Sequence, residues 1–135
     1  MIVMDNKSAR DIVEKGLDTT ICEPFIGILI VRGKEVAGAC IFNNYEGRDI
    51  HFTCVLDGPL SMADARRISR YVFEQLRCER CTAVTRESNL TARRALDRLG
   101  FKREGCLRKH YNEEDGIVYG LLREEQKVLK NGFVS

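Results

Sequence analysis

The hydrophobic pattern of this chain switches from a run of three strands to helix at the loop Leu56-Asp57-Gly58-Pro59-Leu60-Ser61, and no other feature limits its fold so tightly. Upstream, three segments carry the period-two, β-branched pattern of strands: Phe25–Arg32, Glu35–Asn43 and Asp49–Leu56. Gly33-Lys34 makes a turn between the first two, and the polar run Asn43–Gly47 separates the second from the third. These three predict an antiparallel meander. Downstream, Ser61–Leu76 places Ile68, Tyr71, Val72, Gln75 and Leu76 at helical spacing, with Arg66, Arg67 and Arg70 mostly off that stripe. Cys81–Thr85 is a short buried strand, and Asn89–Leu99 is an amphipathic helix ended by Gly100 at a left-handed cap. Phe101–Leu107 and Ile117–Leu122 read as two closing strands joined by a polar loop, Arg108–Gly116. The passage from Asp49–Leu56 through a helix to Cys81–Thr85 makes those strands parallel, by a right-handed crossover. The expected class is α/β (α+β), a mixed central sheet with helices on both faces.

At the start, Ser8–Leu17 predicts a short helix capped by Ser8, with Asp11 three residues on and Gly16 near its end. Glu124–Leu129 adds a last helical turn. Met1–Lys7 and Lys130–Ser135 carry the weakest patterns and are expected to fray. A chain of 135 residues suits one domain, 1–135, without an internal boundary. Its 22 basic and 20 acidic residues leave a net charge of +2, which argues against a nucleic-acid partner. Met1–Lys7 has no basic region followed by a long apolar one, and the longest apolar run, Phe25–Val31, is too short to span a bilayer. A cytoplasmic protein with no membrane partner is therefore expected. Of the six cysteines, Cys40 and Cys54 fall within strands as small hydrophobes, and Cys78 and Cys81 form a C-x-x-C. His51 and His110 do not complete that pair at finger-like spacing, so the thiols are expected reduced and metal-free.

Two segments can carry chemistry. The strand-to-helix loop at Gly58 exposes the unpaired N–H groups and positive dipole end of the helix that follows, a place for a phosphate. Gly58, Ser61, Met62 and Ala63 line it, and Arg66 and Arg67 follow a turn later. The same residues also make an ordinary turn, with Ser61 as N-cap and Asp64 three residues on. The second segment is Asn89–Phe101, with Asn89 as N-cap and Ala92, Ala95, Leu96 and Leu99 as the buried stripe.

The pattern N-x-x-A-x-x-x-L-x-x-x-G-F-x-x-E-G-x-x-R, from Asn89 to Arg108, resembles the C-terminal half of the GNAT acetyltransferases, and most of all their ribosomal-protein N-terminal acetyltransferase branch. Asp115–Leu122 is similar to that branch's last strand, and short bacterial or phage GNAT-like proteins share the look. The resemblance covers roughly residues 25–125. It implies acetyl-CoA as cosubstrate, lying between two splayed strands. Its thioester would meet the backbone near Cys54 and Val55, and its pyrophosphate the helix start at Gly58–Ala63 and Arg66. Asn89 matches the family asparagine that contacts the pantetheine arm or stabilises the second helix, and Arg93, Arg94 and Arg98 are either a solvated helix face or a contact for the 3′-phosphate.

The family's Q/R-x-x-G-x-G/A loop is missing: Gly58–Ala65 reads GPLSMADA, with a donor lost at Pro59 and a negative charge gained at Asp64. Leu96 takes the place of the helix tyrosine that protonates the thiolate in many members, which leaves Tyr111 as the candidate acid. His51 lies on the strand where the family often places a carboxylate base, and Glu104 matches a structural residue. The resemblance implies direct acetyl transfer to an amine of a small molecule or protein, without a metal. The alternative is a catalytically inactive GNAT-like binding protein, acting in a virion or against a host. Many relatives are dimers, so a homodimer is one assembly open to the chain.

Overall fold

The computed structural model describes residues 1–129. A seven-stranded sheet runs in the order β1-β2-β3-β4-β5-β7-β6. Its strands are β1 (Ile2–Met4), β2 (Phe25–Arg32), β3 (Glu35–Asn43), β4 (Asp49–Leu56), β5 (Arg80–Arg86), β6 (Lys102–Tyr111) and β7 (Glu114–Leu122). Every neighbouring pair is antiparallel except β4–β5, the pair spanned by the helical crossover. The boundaries of β2, β3 and β4 coincide with those read from their alternation.

Three helices cover the sheet: α1 (Asn6–Leu17), α2 (Met62–Arg70) and α3 (Leu90–Leu99). α1 buries Ala9, Val13 and Leu17 against Leu29, Ala39 and Ile41 on one face. α2 and α3 bury Ile68, Ala95 and Leu96 on the other, against Ile28, Phe42, Phe52 and Ala83. Alternation explains the division: odd residues of β4 turn to α1, and Ile50, Phe52 and Cys54 turn to α2 and α3. α2 passes into a single π-helical turn, Tyr71–Gln75, so the expected Ser61–Leu76 helix is α-helical only over Met62–Arg70.

Several expectations are corrected. Met1–Lys7 does not fray: Ile2–Met4 pair with Ile28–Ile30 of β2, and Asn6 and Lys7 open α1. The cap of α1 is Asp5, whose carboxylate accepts the Ser8 N–H at 3.0 Å, so Ser8 is the third helical residue and not the cap. Arg108–Gly116 is mostly not a loop. β6 runs on to Tyr111, the chain turns at Asn112-Glu113, and β7 begins at Glu114. The last helical turn starts earlier, as a 3-10 turn over Arg123–Glu125. Lys130–Ser135 lie outside the described residues. Among the described residues no helix is long and apolar enough to cross a membrane, and no group of three or more metal-ligating side chains comes together.

Candidate functional site

The site begins where β4 and β5 lose each other. Their ladder runs from Asp49↔Arg80 to Phe52↔Ala83 and then stops, although both strands continue. β4 goes on to Leu56 while held by β3, and β5 goes on to Arg86 while held by β7. The edge of β4 that faces β5 beyond Phe52 therefore has no strand partner. Backbone amides left in this way are costly unless water or a ligand satisfies them. Cys54 and Val55, expected near the thioester, lie on this freed stretch.

A narrow recess with about 20 Å³ of free space, room for about one water, sits over the gap on the α2–α3 face. Cys54, Leu56, Leu60, Val84, Ala92 and Leu96 are among its walls. Leu60 is buried here, whereas Met62 is 40% exposed and turns away. Leu60 therefore fills part of the cleft and Met62 does not. Leu96 is buried in the wall, as its place in the α3 stripe requires.

At the mouth, Gly58 takes φ = 105°, a conformation that strains any residue with a Cβ. The Ser61 hydroxyl accepts the Asp64 N–H at 3.1 Å and caps α2, while the N–H groups of Met62 and Ala63 belong to its first turn and have no carbonyl behind them. Asp64 is buried, and its carboxylate lies 3.2 Å from the Met1 amino group instead of filling the helix end. Two arginines that sequence reasoning left out of this loop hold it in place. Arg32 of β2 donates to the Pro59 carbonyl, and Arg98 of α3 donates to the Leu60 carbonyl at 3.3 Å. The Arg66 Nε is buried and without a partner among the described residues.

Asn89 caps α3, its side-chain oxygen accepting the Ala92 N–H at 3.1 Å. Asn89→Ala is expected to cost about 1 kcal/mol of stability, the usual worth of such a cap, read from the urea midpoint. Asn89→Asp, which restores an acceptor, should recover most of it, and equal losses in the two variants would refute the capping role. Arg93 is engaged inside the fold: it donates to the Tyr119 hydroxyl and to the Glu87 carbonyl, each at 2.9 Å.

The opposite, α1-side face of the gap carries the ionisable groups. Tyr111 closes β6, is 8% exposed, and donates its hydroxyl to the Val84 carbonyl at 3.2 Å. Burial raises its pKa above the ordinary tyrosine value, opposed by the Arg86 guanidinium stacked 4.8 Å from its ring centre. The phenol therefore stays protonated across neutral and mildly alkaline pH.

His51 projects from β4 on the same face and is opposite Thr82 in the β4–β5 register. Its Nε2 lies 3.7 Å from an Asp49 carboxylate oxygen, and its Nδ1 lies 3.4 Å from the Asn44 amide. Thr82 donates its hydroxyl to Asp49. Arg80 stands 3.7 Å from the same carboxylate and is tied to Glu104 at 2.8 Å. Glu104 lies across Gly120, where a Cβ would collide with its carboxylate. Val84 is two residues beyond Thr82, which puts His51 and the Tyr111 hydroxyl roughly 7 Å apart along the sheet, by strand rise alone. The structure thus places the two candidates on one side of the gap and the recess on the other. Asp49 was not singled out in the sequence. Its only signal there was the two-residue spacing from His51, which puts both on one strand face.

No protein-family model and no curated protein matches the sequence. Solved structures do match. A protein from T. thermophilus, provisionally described as an acetyltransferase, is 32% identical with a TM-score of 0.65, over 76% of this chain and 62% of that one. An acetyltransferase of the GNAT family from Bacillus anthracis superposes at TM-score 0.66 with 14% identity, over 92% of this chain and 96% of that one. Mycobacterium smegmatis RimJ, solved with CoA-disulfide, gives TM-score 0.65 at 18% identity, over 82% of this chain and 59% of that one. The chain thus spans under two thirds of the length of the T. thermophilus protein. With the mixed seven-stranded sheet, the parting of β4 from β5 and the helices on both faces, these likenesses identify the architecture: the chain has the fold of the GNAT acetyltransferases it is similar to.

Proposed function

We propose that the chain is an acetyl-CoA-dependent N-acetyltransferase that moves an acetyl group directly to an amine of a small molecule or a protein. One observation carries the reading: β4 and β5 part after Phe52↔Ala83, and a recess opens over the unpaired edge. The chain's own groups suit this cosubstrate. The freed backbone at Cys54 and Val55 suits a thioester carbonyl, and the open first turn of α2 at Ser61–Ala63 suits a pyrophosphate. Gly58 gives close approach there, and the unpartnered Arg66 Nε adds positive charge. Arg32 and Arg98 keep the GPLSMADA loop in shape without the family's glycines. Asn89 orders the α3 end of the recess, and Arg93 meets a phosphate only by giving up its contacts to Tyr119 and Glu87.

Acetyl-CoA would supply an activated acyl carbon and a thiolate leaving group. The amine enters from the α1 side, where His51 accepts its proton and the Asp49 carboxylate stabilises the resulting imidazolium. Tyr111, protonated and at the Val84 carbonyl, donates to the departing sulfur. The Asn89–Arg108 pattern is the support for a ribosomal-protein N-terminal acetyltransferase-like acceptor, a protein N-terminus.

Ligand that binds only the native state raises the melting temperature. Acetyl-CoA at 100 times its Kd adds about 2.7 kcal/mol, which for a domain of this size moves the midpoint by on the order of 10 °C. An unmoved midpoint at millimolar acetyl-CoA would remove the basis of the reading. A shift without turnover of any amine would instead favour an inactive binding protein.

A further inference from the structure

Two thiols face each other across β3 and β4 at the wall of the recess. Cys40 and Cys54 are directly opposed in the register, and their Sγ atoms are 2.7 Å apart. A disulfide needs about 2.05 Å between its sulfurs and a Cα separation of about 4.4–6.8 Å. Directly opposed antiparallel residues have Cα atoms about 4.5 or 5.5 Å apart, so bonding asks for a small side-chain motion and no backbone change. The two differ in access: Cys40 is fully buried, whereas Cys54 is half-buried and lines the recess. The other four thiols lack this combination. Cys22 and Cys106 are exposed and not opposed to another thiol, and Cys78 and Cys81 are both buried.

We propose that Cys40 and Cys54 form a thiol–disulfide exchange site, which takes a low-molecular-weight disulfide at the half-buried Cys54 and closes to an intrachain Cys40–Cys54 bond. The order of attack follows from access. Cys54, as thiolate, attacks one sulfur of the small disulfide, forming a mixed disulfide and releasing the first thiolate, which takes the proton Cys54 gave up. Cys40 then attacks the Cys54 sulfur, and the second small thiolate leaves with the Cys40 proton. The two cysteines lose two hydrogens and two electrons, and the small disulfide is reduced to two thiols. Burial holds the Cys40 thiol well above the ordinary cysteine range, which suits it to the second, intramolecular attack and not the first. The site stands on the β3–β4 register and the recess, whether or not that recess takes acetyl-CoA.

The test uses the whole chain with Cys22→Ser and Cys106→Ser, so that the exposed thiols cannot cross-link molecules, and oxidised glutathione as the probe. Tryptic cleavage after Lys34, Arg48 and Arg66 separates peptide 35–48, holding Cys40, from peptide 49–66, holding Cys54. The expected result is a protein lighter by two hydrogens whose non-reduced digest shows these two peptides joined, reversed fully by dithiothreitol. Adding Cys40→Ser should leave a stable single glutathione on Cys54; if that variant does not fold, the joined peptides in the background protein decide alone. A lasting glutathione adduct on Cys54 with Cys40 intact would overturn the proposal. So would oxidation confined to Cys78 and Cys81, or no reaction at all.

Discussion

Replacing Phe42 by alanine should cost about 3–5 kcal/mol, the range for deleting a buried phenyl ring, and leave the domain close to unfolding at room temperature. Phe42 is 2% exposed in the middle of β3, the strand that carries β4 on one edge and β2 on the other. Its ring centre lies 5.3 Å from that of Phe52 and 5.1 Å from that of Tyr71, the second contact edge-on. The ring therefore joins the π-helical turn after α2 to the sheet, in an aromatic contact worth more than its buried area alone. An open groove with about 360 Å³ of free space borders the position, so the cavity left by alanine would join solvent and gain little from collapse around it. Phe42→Leu should cost well under half as much, since most of the volume is kept. With no tryptophan in the chain, far-ultraviolet circular dichroism in a urea titration is the suitable measurement. A loss below 1 kcal/mol for the alanine variant would mean that the ring does not join α2 to the sheet.

The largest expected effect on activity is at Tyr111. Tyr111→Phe keeps the ring stacked by Arg86 and removes only the hydroxyl that reaches the Val84 carbonyl. Stability should fall by about 1 kcal/mol, the net worth of one hydrogen bond. If Tyr111 is the proton donor, kcat for acetyl transfer should fall by about 10²-fold or more with KM for acetyl-CoA nearly unchanged. The pH dependence separates the two roles. Burial raises the Tyr111 pKa in the folded state, so the proton needed by the leaving thiolate is present at neutral pH and is lost only as pH rises through that raised value. On that reading the rate should hold to beyond pH 10, about where an ordinary tyrosine ionises, before an alkaline fall that the phenylalanine variant lacks. The same raised value means that the contribution of Tyr111 to stability is complete below the unfolded tyrosine pKa and declines above it. Thiol release from acetyl-CoA against a panel of amines gives the rates. Full turnover by Tyr111→Phe beside a large loss in His51→Gln would move the acid role elsewhere.

How much of this was legible in the sequence depends on how many periods an element shows and how many of its faces are buried. β2, β3 and β4 run eight or nine residues with one or both faces covered, so alternation and turn residues mark their ends. β1 has three residues, too few to show a period, and it forms because β2 offers an open edge. β6 is an edge strand exposed along most of both faces, so Arg108–His110 carry no apolar alternation to separate strand from loop. That same misreading put Tyr111 in a loop, although the β6–β7 hairpin is what brings its hydroxyl to Val84. At the front of α1, Asp5 and Ser8 both fit the cap pattern, and pairing of β1 with β2 decides for Asp5 by fixing where the chain turns.

By itself the sequence determined the order of the elements from α1 to β7, which faces are buried, and the capping of α2 and α3 by Ser61 and Asn89, because side-chain type and spacing record burial and local hydrogen bonding. Only the tertiary structure decided where β4 leaves β5, which arginines hold the Gly58–Leu60 loop, and that His51 stands beside Asp49. The reason is that every residue but proline carries the same backbone N–H and C=O, so no residue type marks which of them a neighbouring strand will leave unpaired.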